Sequence, residues 1–179
     1  MQKIYLGGGC FWGLQAYFDL LEGVVSTRVG YANSSVENPS YKEVCSGRTG
    51  AVEALELVYD ETILELDSSR AGRFSKDGVP DCLLGRFFSV IDASALNFQG
   101  NDRGTQYRSG IYALEEGTLE CAREFVHRYI APQYAPKSVV TEITKLENFY
   151  GAEEYHQKYL EKNPHGYCHI DTNMATKPL

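Results

Sequence analysis

The sequence predicts an α+β fold in which helices pack on a mixed β-sheet as a two-layer sandwich. Segments with strand periodicity alternate with segments of helical periodicity, and one pair of strands follows without an intervening helix. No internal repeat and no linker divides the chain, so we expect a single domain over residues 1–179. A segment without periodicity begins at about residue 163, and we expect it to form an extended, mobile C-terminal tail.

The first elements surround a glycine-rich turn. Residues 3–6 are predicted to form a short strand that ends in three glycines. The apolar side chains of Phe11, Leu14, Phe18 and Leu21 then recur at helical spacing. A cysteine therefore stands where a strand turns into a helix.

The later elements follow from the same periodicities. Further strands are predicted at residues 24–31, 52–59, 107–114 and 139–146, and further helices at 83–91, 119–130 and 152–160. The polar segments 33–41 and 99–105 are predicted to be loops. The polar, glycine-bearing stretch 67–81 is predicted to be a surface insertion.

Composition excludes several classes of protein. The net charge of −7 argues against nucleic acid or an anionic membrane as a partner. No segment approaches the roughly 18 apolar residues of a membrane span, and the N-terminal residues lack the pattern of a signal peptide, so a cytoplasmic location is expected. Five widely spaced cysteines without a C-x-x-C pair do not match a secreted disulfide scaffold or paired zinc ligands.

Cys10 is the strongest candidate nucleophile. Three glycines precede it, which allows a sharp turn and a close approach of substrate to the backbone. A cysteine at a helix N-terminus lies near the positive end of the helix dipole, which is expected to favour the thiolate. Phe11 and Trp12 follow and could enclose a small apolar group. The alternative is a buried structural cysteine.

Glu53 is a candidate general acid. Side chains alternate along a strand, so Glu53 shares a face with Leu55, Leu57 and Tyr59. A carboxyl on an apolar face has its charged form disfavoured, and its pKa is expected to rise. The alternative is a glutamate at a strand end that reaches solvent.

Three other side chains have possible chemical roles. Tyr41 and Tyr107 stand at predicted loop or strand ends, where a phenol can donate to a developing oxyanion, although most tyrosines only pack. Cys168 lies in the tail, where a thiol could resolve a sulfenic acid, or could be incidental. His165 and His169 flank Cys168, but no known zinc-ligand spacing is present, so no metal site is predicted.

Taken together, these residues resemble the peptide methionine sulfoxide reductase A family. The resemblance covers about residues 4–63 and 83–170. It is carried by five blocks in order, at residues 8–13 (Gly-Cys-Phe-Trp-Gly after a glycine), 30–31 with 39–47, 49–54, 99–109, and 154–157 with 163–168. A single Gly-Cys-x-Trp-Gly motif would be weak, but five ordered blocks are specific.

The resemblance implies a role for each site residue. Cys10 attacks the sulfur of methionine-(S)-sulfoxide, Glu53 protonates its oxygen, and Cys168 resolves the resulting sulfenic acid to a disulfide. Tyr41 and Tyr107 bind the oxygen. The substrate pocket is formed by Phe11, Trp12 and Asp102.

The resemblance also implies the fold and the partners. The fold would have a ferredoxin-like (α-β plait) core. The substrates would be free methionine sulfoxide and oxidised methionine in proteins. Thioredoxin would reduce the disulfide, no metal or organic cofactor would take part, and a monomer is expected.

The chain also departs from the family pattern. The stretch between Tyr59 and Asp92 is longer than usual, and Ile91-Asp92-Ala93-Ser94 stands where the family often has His-Asp-Pro-Thr. No cysteine follows Cys168, which predicts a single resolving step.

Two other functions remain open at this stage. One is a different thiol enzyme, either a peroxidase or a cysteine hydrolase. A hydrolase would need a histidine base near Cys10, and all four histidines lie far along the chain. The other is a protein that binds oxidised methionine without reducing it.

Overall fold

The computed structural model describes residues 1–67 and 72–179. Eight strands lie within these residues, namely β1 (Gln2–Gly7), β2 (Val24–Ala32), β3 (Val52–Tyr59), β4 (Phe98–Gln99), β5 (Asp102–Arg103), β6 (Gly110–Ala113), β7 (Glu142–Lys145) and β8 (Phe149–Gly151). The α-helices of the same part are α1 (Phe11–Phe18), α2 (Tyr41–Cys45), α3 (Leu83–Ser89), α4 (Glu116–Phe125), α5 (Ala131–Tyr134) and α6 (Tyr159–Lys162). A π-helical turn (Val126–Ile130) links α4 to α5, and 3₁₀ turns occupy Thr105–Tyr107, Glu154–His156 and Thr172–Thr176.

Six of the described strands form one sheet in the order β7-β6-β1-β3-β2-β8. Neighbouring strands are antiparallel except for β6 and β7, which are parallel. The remaining two strands, β4 and β5, pair with each other as a separate hairpin. The predicted α+β class with a mixed sheet is therefore confirmed.

The main core lies on the helix-covered face of the sheet. The alternation in β1 and β3 points Ile4, Leu6, Leu55 and Leu57 to this face, and all four side chains are fully buried. They pack in one cluster with side chains of α1, such as Leu14. Fully burying each such side chain contributes about 1.5–3 kcal/mol. Because Glu53 follows the same alternation, it also points into this face.

The predicted elements are mostly present, with corrected ends. The helix predicted at 119–130 begins earlier and continues as a π-helical turn, and the strands predicted at 107–114 and 139–146 are only four residues long. The loop predicted at 99–105 contains the β4–β5 hairpin. Helix α2, which was not predicted, begins with a capping box between Ser40 and Glu43.

The prediction of a helix at residues 152–160 is wrong. A 3₁₀ turn and the short helix α6 occupy this segment instead. The amide of Gln157 bonds the backbone N–H and carbonyl of Val29 in β2, at 3.0 and 2.9 Å. Lys158 has a φ of +53°, in the left-handed region. A side chain that pairs with a neighbouring strand thus replaces helical backbone bonds here.

The predicted insertion at 67–81 is described only in part, because residues 68–71 lie outside the described residues. Within the described part, Phe74 and Pro80 form an isolated bridge. Asp81 forms a two-point ion pair with the buried Arg86, at 2.5 and 2.8 Å. A further nitrogen of Arg86 donates to the carbonyl of Lys177, at 2.6 Å. The end of this segment therefore anchors the C-terminus through Arg86.

The C-terminal segment lacks long regular structure, as predicted, but it packs on the domain. Ile170 and Ala175 are buried in the main core cluster. Its predicted mobility stays a prediction. No helix in residues 1–67 or 72–179 is both long and apolar enough to cross a membrane.

Candidate active site

Cys10 lies at the turn between β1 and α1, as the glycines predict. It is the N-cap residue of α1 and is 8 % exposed. Gly9 has a φ of +80°, which an L side chain rarely adopts. A Cβ on Gly9 would lie 2.7 Å from the Cβ of Gln99 and 2.8 Å from Nε2 of His169. The turn before Cys10 is therefore packed against both Gln99 and His169.

Glu53 lies beside this turn and is 1 % exposed. Its Oε2 accepts a hydrogen bond from the backbone N–H of Phe11 at 3.2 Å. Its Oε1 has no hydrogen-bonding partner in the described part of the chain. Burial raises the pKa of Glu53 to about 8, and the charge of Asp102 contributes. The carboxyl is thus protonated at neutral pH, and the predicted rise of its pKa agrees with this arrangement.

The pKa of Cys10 is shifted in the direction opposite to the one predicted. Burial raises the pKa of the Cys10 thiol, and Glu53 raises it further once its own carboxyl ionises. The backbone N–H of Trp12 acts in the opposite direction. The helix start therefore favours the thiolate as predicted, but burial has the larger effect, so the resting group is a neutral thiol.

Two phenols lie at the same site. Tyr41 begins α2, and its backbone N–H donates to Oε1 of Glu153 at 2.7 Å. Tyr107 lies in the 3₁₀ turn after β5, and its carbonyl accepts from the N–H of Gly9 at 3.2 Å. Burial is the main cause of a raised pKa for both phenols, and the charge of Glu53 adds to it. Both hydroxyls therefore keep their protons and can donate hydrogen bonds.

Phe11 and Trp12 are held by aromatic contacts. Phe11 is buried and packs edge-on against His156, with ring centroids 5.2 Å apart. The indole of Trp12 stacks on Tyr159, with ring centroids 3.7 Å apart and planes at 13°. Its Nε1–H donates to Nδ1 of His156 at 3.0 Å. The Tyr41 ring also lies 4.6 Å from the His156 ring. His156 thus contacts three of the predicted site residues.

Asp102 and Cys168 complete the predicted set. Asp102 lies in β5, and its charge raises the pKa of both Cys10 and Glu53. A Cβ on Gly13, one turn after Cys10, would lie 3.2 Å from Sγ of Cys168. Cys168 also lines a cavity of about 860 Å³ between α1 and α6, together with Trp12. The fold therefore brings all eight predicted site residues around the start of α1.

Two histidines lie at the site although they are far away in sequence. His156 contacts the aromatic residues described above, and His169 lies against Gly9. Distance along the chain therefore does not keep these two histidines away from Cys10. Burial lowers the pKa of both rings. No hydrogen bond joins either ring to Sγ of Cys10 among the described residues, so neither is placed to take the thiol proton.

The other cysteines lie outside this arrangement or at its rim. Cys82 is the N-cap residue of α3, and Cys121 in α4 donates to Asp67 at 3.1 Å. Cys45 is exposed at the end of α2, and its thiol interacts with the hydroxyl of Tyr41. Within residues 1–67 and 72–179, no group of three or more histidine, cysteine or acidic side chains could hold a metal ion.

Comparisons with known proteins agree on one family. The family model described as peptide methionine sulfoxide reductase matches residues 2–179. The peptide methionine sulfoxide reductase MsrA of Clostridium botulinum strain Hall is 51% identical over 170 residues, which cover 95% of this chain and 98% of the relative. The structure of methionine sulfoxide reductase A of Corynebacterium diphtheriae superposes with a TM-score of 0.81 at 39% identity, and covers 93% of this chain and 77% of that one. The reduced form of Mxr1 from Saccharomyces cerevisiae gives a TM-score of 0.78 at 35% identity, over 96% of this chain and 90% of that one. This chain belongs to the peptide methionine sulfoxide reductase family.

Proposed function

We propose that this chain is a peptide-methionine (S)-S-oxide reductase, which reduces methionine-(S)-sulfoxide, free or in proteins, to methionine. The observation that carries the proposal is the buried Glu53 carboxyl, which accepts the backbone N–H of Phe11, directly after Cys10, and has its Oε1 unpartnered in the described residues. Burial raises the pKa of Glu53 to about 8, so the carboxyl can donate a proton at neutral pH. A sulfoxide is a poor electrophile until its oxygen accepts a proton or strong hydrogen bonds. The neutral acid and the two neutral phenols supply these to one oxygen.

The first step transfers oxygen between two sulfur atoms. Glu53 gives its proton to the sulfoxide oxygen, and the hydroxyls of Tyr41 and Tyr107 donate to the same oxygen. Once its oxygen is protonated, the substrate carries a positive charge centred on sulfur, and a nearby cation favours the thiolate of Cys10. The Cys10 proton returns to the Glu53 carboxylate. In balance, a thiol and a sulfoxide give a sulfenic acid on Cys10 and methionine.

This order explains why a neutral resting thiol is compatible with nucleophilic attack. Only the thiolate is the nucleophile, and substrate binding creates the charge that stabilises it. Before substrate binds, burial keeps the proton on the thiol. A thiol that is ionised only with substrate bound is also less exposed to other oxidants.

Phe11 and Trp12 are proposed to hold the substrate methyl group. Two rings beside the nucleophile give an apolar wall that orients the sulfur. His156 accepts from the Trp12 indole, and Tyr159 stacks on it. These two contacts fix the orientation of the ring. Asp102 is proposed to shape the same pocket.

The second step regenerates the enzyme. Cys168 attacks the Cys10 sulfenic acid, which gives a disulfide and water. Thioredoxin then takes the disulfide back to two thiols. The yeast relative Mxr1 has been solved in complex with Trx2. The thiols carry the electrons, so no metal or organic cofactor takes part, and a reducing compartment such as the cytoplasm suits the five free thiols.

The proposal includes the overall organisation. We propose one monomeric domain over residues 1–179 with a surface insertion at 67–81 and a C-terminal tail from about 163 that packs on the domain. The order β6-β1-β3-β2 in the middle of the sheet supports a ferredoxin-like (α-β plait) core. In this core β1 and β2 are parallel and flank β3, and α1 is the crossover between them.

The proposal is tested by counting methionine formed per enzyme. Without reductant, one equivalent of methionine should form from the S epimer and none from the R epimer, and mass spectrometry should find a Cys10–Cys168 bridge. Cys10→Ser should form none, whereas the control Cys121→Ser should match the wild type. With thioredoxin, Cys168→Ser should stop after about one methionine and recover with a small thiol.

Other outcomes would overturn it. Full activity of Cys10→Ser would remove the nucleophile. Binding of sulfoxide without any methionine would identify a binding protein. Consumption of peroxide in excess of sulfoxide would identify a peroxidase. Full thioredoxin-linked turnover by Cys168→Ser would exclude Cys168 as the resolving residue.

A further inference from the structure

The residue after Cys168 packs on the turn that carries the nucleophile. The His169 side chain is only 7 % exposed. Its Nε2 lies 3.2 Å from the carbonyl oxygen of Gly8, and the ring occupies the space that a Cβ on Gly9 would need. A neutral imidazole with its proton on Nε2 donates to that carbonyl. The glycine at position 9 therefore makes room for the histidine of the tail.

Asp102 contacts the residues on both sides of Cys168. The hydroxyl of Tyr167 donates to Oδ2 of Asp102 at 3.1 Å. On the other side, Nδ1 of His169 lies 3.8 Å from the same oxygen. This buried nitrogen has no hydrogen-bonding partner among the described residues. Tyr167, His169, Asp102 and Gly8 together form what we call the tail clamp.

The tail clamp determines where the sulfur of Cys168 lies. Cys168 stands between the two clamped residues, and its Sγ donates to the carbonyl of Ile170 at 3.0 Å. The same sulfur lies beside Gly13, on the first turn of the helix that Cys10 begins. A disulfide requires two sulfur atoms at about 2.05 Å with restricted torsion. Fixing the residues around one thiol therefore favours closure of the bond.

We propose that His169 is a positioning residue for the resolving step, through which the tail clamp holds Cys168 next to Cys10. This inference rests on the function proposed above. In the step it serves, the Cys168 thiol loses its proton and its sulfur displaces the hydroxyl of the Cys10 sulfenic acid. The S–S bond forms, the S–O bond breaks, and the proton and hydroxyl leave as water. The Cys168 sulfur is oxidised and the Cys10 sulfur is reduced.

The test separates the two steps in one experiment. Wild type and His169→Ala are mixed with one equivalent of methionine-(S)-sulfoxide without reductant. Methionine, the Cys10–Cys168 bridge and the Cys10 sulfenic acid trapped by dimedone are then measured over time. Methionine formation should be unchanged in His169→Ala. Bridge formation should slow about tenfold, which is the effect of losing one well-placed hydrogen bond, and trapped sulfenic acid should rise.

Three further variants distinguish positioning from a general effect on folding. His169→Gln places an amide nitrogen the same number of bonds from Cβ as Nε2, so it should restore most of the bridge-forming rate. Tyr167→Phe removes one hydroxyl from a side chain that is 44 % exposed, and should slow the bridge about threefold. His165→Ala, an exposed histidine of the same tail, should behave as wild type.

The outcomes distinguish failure of the role of His169 from failure of the proposed function. Full methionine yield with a wild-type bridge rate in His169→Ala and Tyr167→Phe would overturn the role of His169 and leave the proposed function intact. An equal loss of methionine and bridge in His169→Ala, without rescue by His169→Gln, would also overturn it. Absence of methionine in the wild type would refute both proposals.

Discussion

Replacing Glu53 with glutamine should stabilise the protein and disable the reaction. The pKa of Glu53 is about 8 in the folded protein and close to its ordinary value of 4.5 when unfolded. A difference of one pKa unit corresponds to 1.36 kcal/mol. The buried acid therefore destabilises the native state by about 5 kcal/mol above pH 8, about 3 kcal/mol at pH 7 and about 1 kcal/mol at pH 5.

The sign follows from proton binding. The folded protein holds the Glu53 proton more tightly than the unfolded chain, so the stability of the wild type falls as pH rises from about 4.5 to about 8. Glutamine cannot ionise in either state and can still accept the Phe11 N–H through its carbonyl oxygen. The free energy of unfolding of Glu53→Gln, relative to the wild type, should therefore increase by about 2–3 kcal/mol between pH 5 and pH 7.

The assay is urea unfolding under reducing conditions, followed by the fluorescence of the single tryptophan. Glu56→Gln is the matched control, because Glu56 lies on the same strand but forms ion pairs with Lys3 and Arg28 at the surface. The same Glu53→Gln protein should form methionine about 10²–10⁴ times more slowly. A stability difference that is equal at pH 5 and pH 7 would refute a protonated Glu53 in the native state.

Three shorter predictions follow from the same contacts. The rate of methionine formation in a single turnover should fall about tenfold between pH 8.5 and 9.5 as Glu53 ionises. A stopped-flow pH profile in which the rate does not fall over this range would argue against Glu53 as a general acid. Trp12→Phe keeps an aromatic ring but loses the hydrogen-bond donor to His156, so steady-state kinetics should show a KM that is raised about three- to tenfold. An unchanged KM would mean that the orientation of the indole does not matter for substrate binding. Gly9→Ala meets both a positive φ and a 2.7 Å contact, and urea unfolding should show a loss of about 1–3 kcal/mol. Gly117→Ala, where an added Cβ meets no atom within 4 Å in the described residues, is its control and should not destabilise.

Local sequence patterns were sufficient to predict the positions of Cys10 and Glu53. The position of Glu53 follows from strand alternation alone, because Leu55 and Leu57 point to the same face and define it as the core. The position of Cys10 follows from the glycines before it and the helical spacing after it. These patterns act over a few residues, and tertiary contacts did not alter them.

The remaining features depend on contacts that a sequence pattern does not contain. His156 and His169 reach the site only because the last third of the chain folds back over α1, and their neighbours in sequence give no signal of this. The neutral Cys10 thiol results from burial, which outweighs the visible helix start. The spacing in 152–160 favoured a helix, but Gln157 pairs with β2 instead. Only the capping box formed by Ser40 and Glu43 was visible in the sequence and yet was not used to predict helix α2.

The anchoring of the C-terminus by Arg86 has a practical consequence for protein production. The guanidinium holds the carbonyl of Lys177, and the side chain of Leu179 lies against Gly85. An affinity tag fused after Leu179 would disturb these contacts and shift the segment that carries Cys168. Met1 is 73 % exposed, so an affinity tag at the N-terminus leaves the segment that carries Cys168 undisturbed.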